Sequence, residues 1–446
     1  MDDNPPLWHA IQEAEEIVPV VCLRVDPKYR LMTPRRSFIW DALLALDANL
    51  RTHGSRLFVL PGNSEEQIPA AALAFGAEAV FASRVYDAPS LERDTRIARG
   101  LQTSGIKWET FKNAVNFEGK EVLTANGSPY KVFTPYKRAW LGRFQDIPPL
   151  LPPIGSLRSP ESAQFELDSF VPQWVRAGEG SGEREAKIRL KAFVNGKLSG
   201  YGKNRDYLAV EGTSRLSAHL SHGTISPRQI YWSVQESMGS APGAENEGAK
   251  TFLSELVWRE FYYQVLSNFP YVLNTEFKEE FRSLPWYDDP ARFEAWCNGL
   301  TGYPIVDAAM RQLQTEGWMH NRARMIAASF LTKDLHLDWR LGEHFFLEHL
   351  IDADIASNNG GWQWSAGTGT DAAPYFRIFN PVEQSKRFDQ NGDYIRTHVP
   401  ELRHVSGPMI HRPASDVASY LRPIVDHVEE RKVALGMYAK RRGARS

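Results

Sequence analysis

Cysteine is nearly missing from this chain, which holds only Cys22 and Cys297 among its 446 residues. The two stand far apart and fit no CxxC or zinc-ligand spacing, which excludes a disulfide framework and a zinc ribbon as organising principles. The expected state is two structural thiols in a reducing compartment. Long apolar runs are missing as well. None reaches the roughly 18 residues that a membrane-spanning helix requires, and the opening Met1-Asp2-Asp3-Asn4-Pro5 lacks the basic and apolar regions of a secretion signal. The expectation is therefore a cytoplasmic protein with no membrane partner. A basic excess is absent too. Lys and Arg number 52 against 54 Asp and Glu, for a net charge of −2, so any nucleic-acid contact must come from a local patch. No internal repeat or low-complexity tract is present, which argues against solenoids and tail-like segments.

What the chain does have is enough apolar residue, 42 %, to build a substantial core, and enough length for two or three domains. Over residues 1–135 helical and strand patterns alternate: helices at 6–17, 38–52, 65–75 and 91–103, strands at 18–24, 56–60, 77–82 and 106–111. That alternation predicts an α/β domain, a doubly wound parallel sheet with helices on both faces. The series begins on a helix, although such units begin on a strand. Residues 136–181, interrupted by Pro148, Pro149, Pro152, Pro153 and Pro160, read as a linker. Residues 182–446 read as a large all-α domain. Thirteen tryptophans, eight of them at or beyond Trp232, invite the question of whether some rings stack on a ligand.

Four segments carry chemistry. Glu211-Gly212-Thr213-Ser214-Arg215-Leu216-Ser217 leads into a helix, where hydroxyls and free backbone N–H groups suit either a plain cap or a phosphate. In residues 252–262, Glu255, Trp258, Arg259 and Tyr262 share one helical face, while Leu253, Leu256, Val257 and Phe261 populate the other. The first face looks into a cavity, or else carries a solvent-exposed Glu255–Arg259 pair. In residues 317–325, Asn321, Arg324 and Met325 share a face, and His320 reads as a structural histidine. The densest stretch runs from Ile351 to Trp364 and includes Asp352, Asp354, Asn358 and Asn359. Its spacing matches neither a calcium loop nor a transition-metal site, so no metal is expected. Carboxylates and amides reading the edge of a heterocycle is the alternative.

Taken together and in order, these segments resemble the photolyase/cryptochrome family, most closely bacterial class I cyclobutane pyrimidine dimer photolyases. The likeness runs from about Tyr201 to Tyr438. It rests on Leu256-Val257-Trp258-Arg259-Glu260-Phe261-Tyr262, Trp318-Met319-His320-Asn321-Arg322 and Asn358-Asn359-Gly360-Gly361-Trp362-Gln363-Trp364, extended by Phe376-Arg377-Ile378-Phe379-Asn380-Pro381 and Pro423-Ile424-Val425-Asp426-His427. The resemblance implies a helical domain that binds FAD and DNA. Tyr201 and Thr213, Ser214, Arg215, Leu216 and Ser217 would contact phosphates and ribose, with Arg259 and Asn321 among the cofactor contacts. Arg324 and Asp352 would pair beside the flavin, Asp354 would meet its pyrimidine edge and Asn358 would face N5. A dimer flipped out of damaged DNA, a process for which photolyases are a standing example, would lie between Trp258 and Trp364. Glu255, Asn358 and Met325 would form the catalytic set, and Trp286, Trp339 and Trp362 would carry electrons inward. Asn321, Arg322 and Arg377 would touch DNA, with Lys386, Arg387 and a basic tail at Lys440, Arg441, Arg442 and Arg445 as further cations. The implied reaction is light-driven repair by a monomer.

The chain departs from the family pattern twice. The α/β domain apparently lacks its first strand, which would sit centrally in the sheet; a true start upstream is the expected explanation. Pro89 and Ser90 stand where folate-binding members carry an Asn-Glu pair, so a folate antenna is unsupported, and a deazaflavin, a second flavin or no antenna remains open. The alternative function is a cryptochrome-type blue-light photoreceptor. Against it stand the amide at Asn358, which many signalling members replace, and the absence of a long C-terminal extension. A metal-dependent nuclease using Asp352 and Asp354 fails on ligand count.

Overall fold

The computed structural model describes residues 1–24, 32–160, 167–172, 175, 181–239, 247–413 and 420–443. Arg445 and the side chain of Arg442 lie outside the described residues. The chain divides into two compact units. The first holds Met1–Pro129, Tyr136–Ser199 and Ser214–Asn268; the second holds Tyr130–Pro135, Gly200–Thr213 and Phe269–Ser446. The division by compactness thus cuts later than the composition shift at residues 136–181, with helices as far as Asn268 grouped with the α/β region.

The α/β region runs α1 (Pro5–Glu13), β1 (Val20–Leu23), α2 (Pro34–Thr52), β2 (Phe58–Pro61), α3 (Ser64–Ala74), β3 (Ala79–Ser83), α4 (Ala88–Gln102) and β4 (Lys107–Phe111). Each helix start has a local cause. Asn4, Thr33 and Asp87 accept backbone N–H bonds from Leu7, Arg36 and Ser90, and prolines occupy the first turn of α1, α2 and α4. The Thr33–Pro34 cap explains why α2 begins before residue 38, where apolar periodicity alone would start it. The strands are parallel, as alternation with helices predicts. They form two separate pairs, β1 with β2 (Val20 opposite Phe58) and β3 with β4 (Ala79 opposite Lys107). No strand joins the pairs among the described residues. Helix α1 lies against β3 and β4, with His9 stacked on Phe111 at 4.2 Å. Buried Asp3 anchors its start by accepting from Leu151 N and Arg228 Nε, and from the Ser226 hydroxyl.

The remaining helices are α5 (Phe133–Gly142), α6 (Glu183–Gly196), α7 (Tyr201–Asn204), α8 (Ser217–His222), α9 (Pro227–Gly239), α10 (Glu247–Asn268), α11 (Pro290–Cys297), α12 (Pro304–Glu316), α13 (Asn321–Lys333), α14 (Trp339–His349), α15 (Ile355–Ala366), α16 (Pro381–Phe388), α17 (Asp393–His398) and α18 (His427–Gly443). In the second unit α12 packs on α13 and α17, and α15 on α13 and α14. Trp296, Met310, Leu331, Trp339 and Trp362 fill the core between them. Gly342 permits the α14–α15 contact: a Cβ there would fall on the Trp362 indole.

Candidate active site

Helix α10, in the first unit, presents the two faces its sequence predicts. Leu253, Leu256, Val257 and Phe261 are buried, whereas Glu255, Trp258, Arg259 and Tyr262 are half-buried. The Trp258 and Tyr262 rings lie 5.6 Å apart. Arg259 donates to Ala114 O and to the Tyr263 hydroxyl at 3.1 Å. Glu260, which sequence reasoning passed over, is fully buried and ties this helix to residues 116, 117 and 140. Its carboxylate accepts from Asn116 N at 2.7 Å, Asn116 Nδ2 at 2.8 Å, Phe117 N at 3.1 Å and Trp140 Nε1 at 2.7 Å. Burial raises its proton affinity while these donors and the Arg259 charge oppose the rise. A carboxylate set among Leu256, Val257 and Phe261 on an apolar stripe was the available signal.

The segment expected to meet phosphates is divided between the units, with Tyr201 and Thr213 in the second and Ser214 to Ser217 in the first. Tyr201 is buried, with the Arg205 guanidinium 5.5 Å from its ring centre. Ser214 Oγ accepts from Leu216 N, and Arg215 takes a left-handed backbone with φ 51°. The α8 that follows is six residues long and has no side-chain cap. The segment is a polar turn ahead of a short helix.

In the second unit, Asn321, Arg324 and Met325 come together as predicted. Asn321 Nδ2 lies 3.8 Å from Met325 Sδ. Arg324 donates through Nε to Met319 O and through Nη2 to both oxygens of Asp352, at 3.0 and 2.8 Å. Asp352 is buried, so this is a desolvated charge-assisted pair. His320 is a buried helix cap whose Nδ1 accepts from Arg322 N. Arg322, expected to reach DNA, is half-buried. Its Nη2 pairs with Asp206 at 2.9 Å, and its guanidinium sits over Phe388 at 4.3 Å. Arg377 is exposed, beside Phe376 with 60 % exposure.

Asp354 caps α15 by accepting from Ser357 N at 2.7 Å. One turn on, Asn358 donates through Nδ2 to Glu343 O at 2.9 Å. That commits the amide orientation and leaves its oxygen without a protein donor among the described residues. Asn359, fully inside, donates to Glu343 Oε1 at 2.9 Å and to Val272 O at 3.0 Å. Burial pushes the Glu343 carboxyl up to about 7. Asn359 stood out in the sequence only as one of the two amides of this stretch, and Glu343 not at all, because no local pattern announces a pairing between two helices.

The three expected relay tryptophans differ in exposure: Trp286 is half-buried, Trp339 and Trp362 fully buried. Trp362 packs against Phe346 at 5.0 Å and Trp296 at 6.0 Å. The buried indole N–H groups of Trp286 and Trp362 have no partner among the described residues, whereas Trp339 Nε1 donates to Glu276 Oε1 at 3.2 Å. Trp364 is half-buried.

The family described as the FAD binding domain of DNA photolyase matches residues 252–440, and the family described as DNA photolyase matches residues 1–154. A deoxyribodipyrimidine photo-lyase of Alkalihalophilus pseudofirmus is 40 % identical over 461 residues, covering 98 % of this chain and 95 % of the relative. The chain belongs to the photolyase/cryptochrome family. Among solved structures, a class III photolyase from Agrobacterium tumefaciens superposes with a TM-score of 0.90 at 35 % identity, covering 99 % of this chain and 95 % of that one. A Synechocystis cryptochrome superposes with 0.86 at 28 % identity, covering 98 % and 96 %. For a photolyase-family protein the α/β region followed by a helical FAD-binding domain is the expected architecture, and FAD is its cofactor. The residues present fit a flavin. A carboxylate–guanidinium pair, a capping carboxylate and an amide with an uncommitted oxygen supply the donors and acceptors that a flavin edge requires. Among the described residues no helix is long and apolar enough to cross a membrane.

Proposed function

We propose that the chain is a light-driven deoxyribodipyrimidine photo-lyase that restores cyclobutane pyrimidine dimers in DNA. The observation that carries the reading is 40 % identity to a photo-lyase over nearly the full length of both chains. Bound reduced FAD supplies a one-electron donor under blue light, and the protein supplies binding, orientation and electrostatics.

The roles follow from the side chains. Trp258 and Trp364 offer ring faces to a flipped dimer, each base stack worth about 1–3 kcal/mol. Glu255 accepts or donates a hydrogen bond at the dimer's base edge, and Met325 offers its thioether to the dimer. Arg324 and Asp352, held to each other, meet the flavin as a fixed dipole, Asp354 reads its pyrimidine edge, and Asn358 turns its free oxygen to N5. Trp286, Trp339 and Trp362 carry electrons from the surface inward. Tyr201, Thr213 to Ser217, Arg259 and Asn321 hold the rest of the cofactor. Arg322 and Arg377 bind DNA phosphates, Arg322 after exchanging Asp206 for a phosphate. The protein works as a cytoplasmic monomer with three regions, residues 1–135, 136–181 and 182–446. Its antenna is a chromophore other than folate, or none.

The test is to purify the chain, record its flavin absorption and illuminate it with dimer-bearing DNA. Light-dependent loss of dimers supports the reading. Bound flavin without dimer loss favours a photoreceptor, in keeping with the structural likeness to a cryptochrome. Glu255→Ala lowers repair while flavin stays bound; loss of flavin instead refutes the role of Glu255.

A further inference from the structure

We propose that Glu343 is a positioning residue that takes up and releases a proton behind Asn358 and so couples reduction of the bound flavin to pH. The inference rests on the reading that Asn358 faces the flavin. Three observations carry it. The Glu343 backbone carbonyl fixes the Asn358 amide by accepting from Nδ2. The Glu343 side chain is inside the α14–α15 contact, 8 % exposed, with Oε1 held by Asn359. Its second oxygen has no protein donor among the described residues, so a proton can reside there.

Asn359 cannot supply that proton or compete for it. Its Nδ2 already donates to Val272 O as well as Glu343 Oε1, and its oxygen accepts from Gln363 Nε2 at 3.4 Å. The carboxyl can therefore change charge without any rearrangement of its neighbours. The surrounding charges are few. Helix α15 contains no titratable side chain at all. Arg340 on α14 and Asp338 at its N-cap act on Glu343 in opposite directions. Arg340 is already engaged by Asp338 and by Glu276 from the segment before α11. On α13, Arg324 is paired with Asp352, and Lys333 donates to Ala366 O. Burial with so little compensation leaves the group half-protonated near neutrality, pushed up to about 7.

An electron placed on a nearby flavin adds negative charge. That raises the proton affinity of Glu343, and one proton enters from water as the electron arrives; it leaves when the electron leaves. Linkage makes the converse hold: lowering the pH through the Glu343 titration eases reduction. The charge acts by its field alone, since the orientation of Asn358 depends on the Glu343 backbone carbonyl and not on the side chain. Replacing the side chain thus removes the charge and keeps the amide.

The experiment is a potentiometric titration of the flavin-loaded chain, read by flavin absorbance at several pH values. In the unmodified protein the reduced-to-oxidised ratio at fixed potential should change, beyond the flavin's own proton uptake, by about threefold or more between pH 6 and pH 8. Glu343→Gln should abolish that extra dependence; a variant that keeps it overturns the proposal. Should the variant fail to hold flavin, infrared difference spectra of the unmodified protein decide. A protonated-carboxyl C=O band must appear on reduction near neutral pH, and its absence at every pH overturns the proposal. Asn358→Asp separates the two layers. If it leaves flavin spectrum and potential unchanged, the placement of Asn358 is wrong; if it changes both while Glu343→Gln changes nothing, only the role of Glu343 falls.

Discussion

Substituting alanine for glycine in a helix has a calculable sign at two positions here, and the signs are opposite. At Gly342, in α14, an added Cβ would collide with Cη2, Cζ2 and Cζ3 of Trp362. The indole has nowhere to go, since Trp362 is 2 % exposed and packed by Phe346 and Trp296. Overpacking of this kind costs about 1–3 kcal/mol, against a helix-propensity gain of up to about 1 kcal/mol. Because the added atom would fall on the ring itself, the cost should lie toward the upper end of that range, and Gly342→Ala should show a net loss of up to about 2 kcal/mol. At Gly436, in α18, nothing lies within 4 Å of the added atom, and only the propensity gain of about 0.5–1 kcal/mol remains. Urea denaturation followed by far-ultraviolet circular dichroism reads both shifts as midpoints. On the proposed relay role of Trp362, the Gly342 variant should also reduce its flavin more slowly under light. Equal shifts of both variants in one direction, or a Gly342 variant as stable as the parent, would refute the packing argument.

Glu260→Gln exchanges an acceptor for a donor amid four converging N–H groups; a loss of about 2–3 kcal/mol is expected in the same denaturation assay. Arg377→Ala should weaken binding to damaged and undamaged DNA alike and reduce the slope of log affinity against log salt by about one, measured by fluorescence anisotropy. Burial pushes the Asp389 carboxyl up to about 6 despite bonds from Tyr394 N and Ile395 N. A folded-state value above the unfolded one means the folded chain holds the proton more tightly, so this group's contribution to stability falls as pH rises from about 4 to 6. Asp389→Asn should flatten that part of the stability–pH curve.

The α/β alternation was legible because periodicity reports local structure, and all four strands and their intervening helices lie within a few residues of where the pattern puts them. The split of the sheet into pairs was foreshadowed only by the series opening on a helix; strand pairing itself is non-local and leaves no periodic trace. The polar face of α10 and the grouping of Asn321, Arg324 and Met325 were readable from helical spacing. Arg322 was not: its partner Asp206 precedes it by more than a hundred residues, and nothing in the flanking sequence marks the pair. Glu260 and Glu343 escaped for a related reason. A carboxylate declares itself buried only when its donors are known, and here these come from Asn116, Phe117, Trp140 and Asn359.

The division of the strands into two pairs bears on how the protein behaves when concentrated. Strand β3 carries no charge along Ala79–Ser83, while Lys107 and Glu109 on β4 guard its neighbour. Among the described residues β3 has a strand partner on one edge only, and an uncharged strand edge without a partner is a template for another copy. Helix α1 lies against this pair, and the Asp3 anchor fixes the start of that helix. Loosening that anchor would show first as turbidity during storage, before any change in light-driven chemistry.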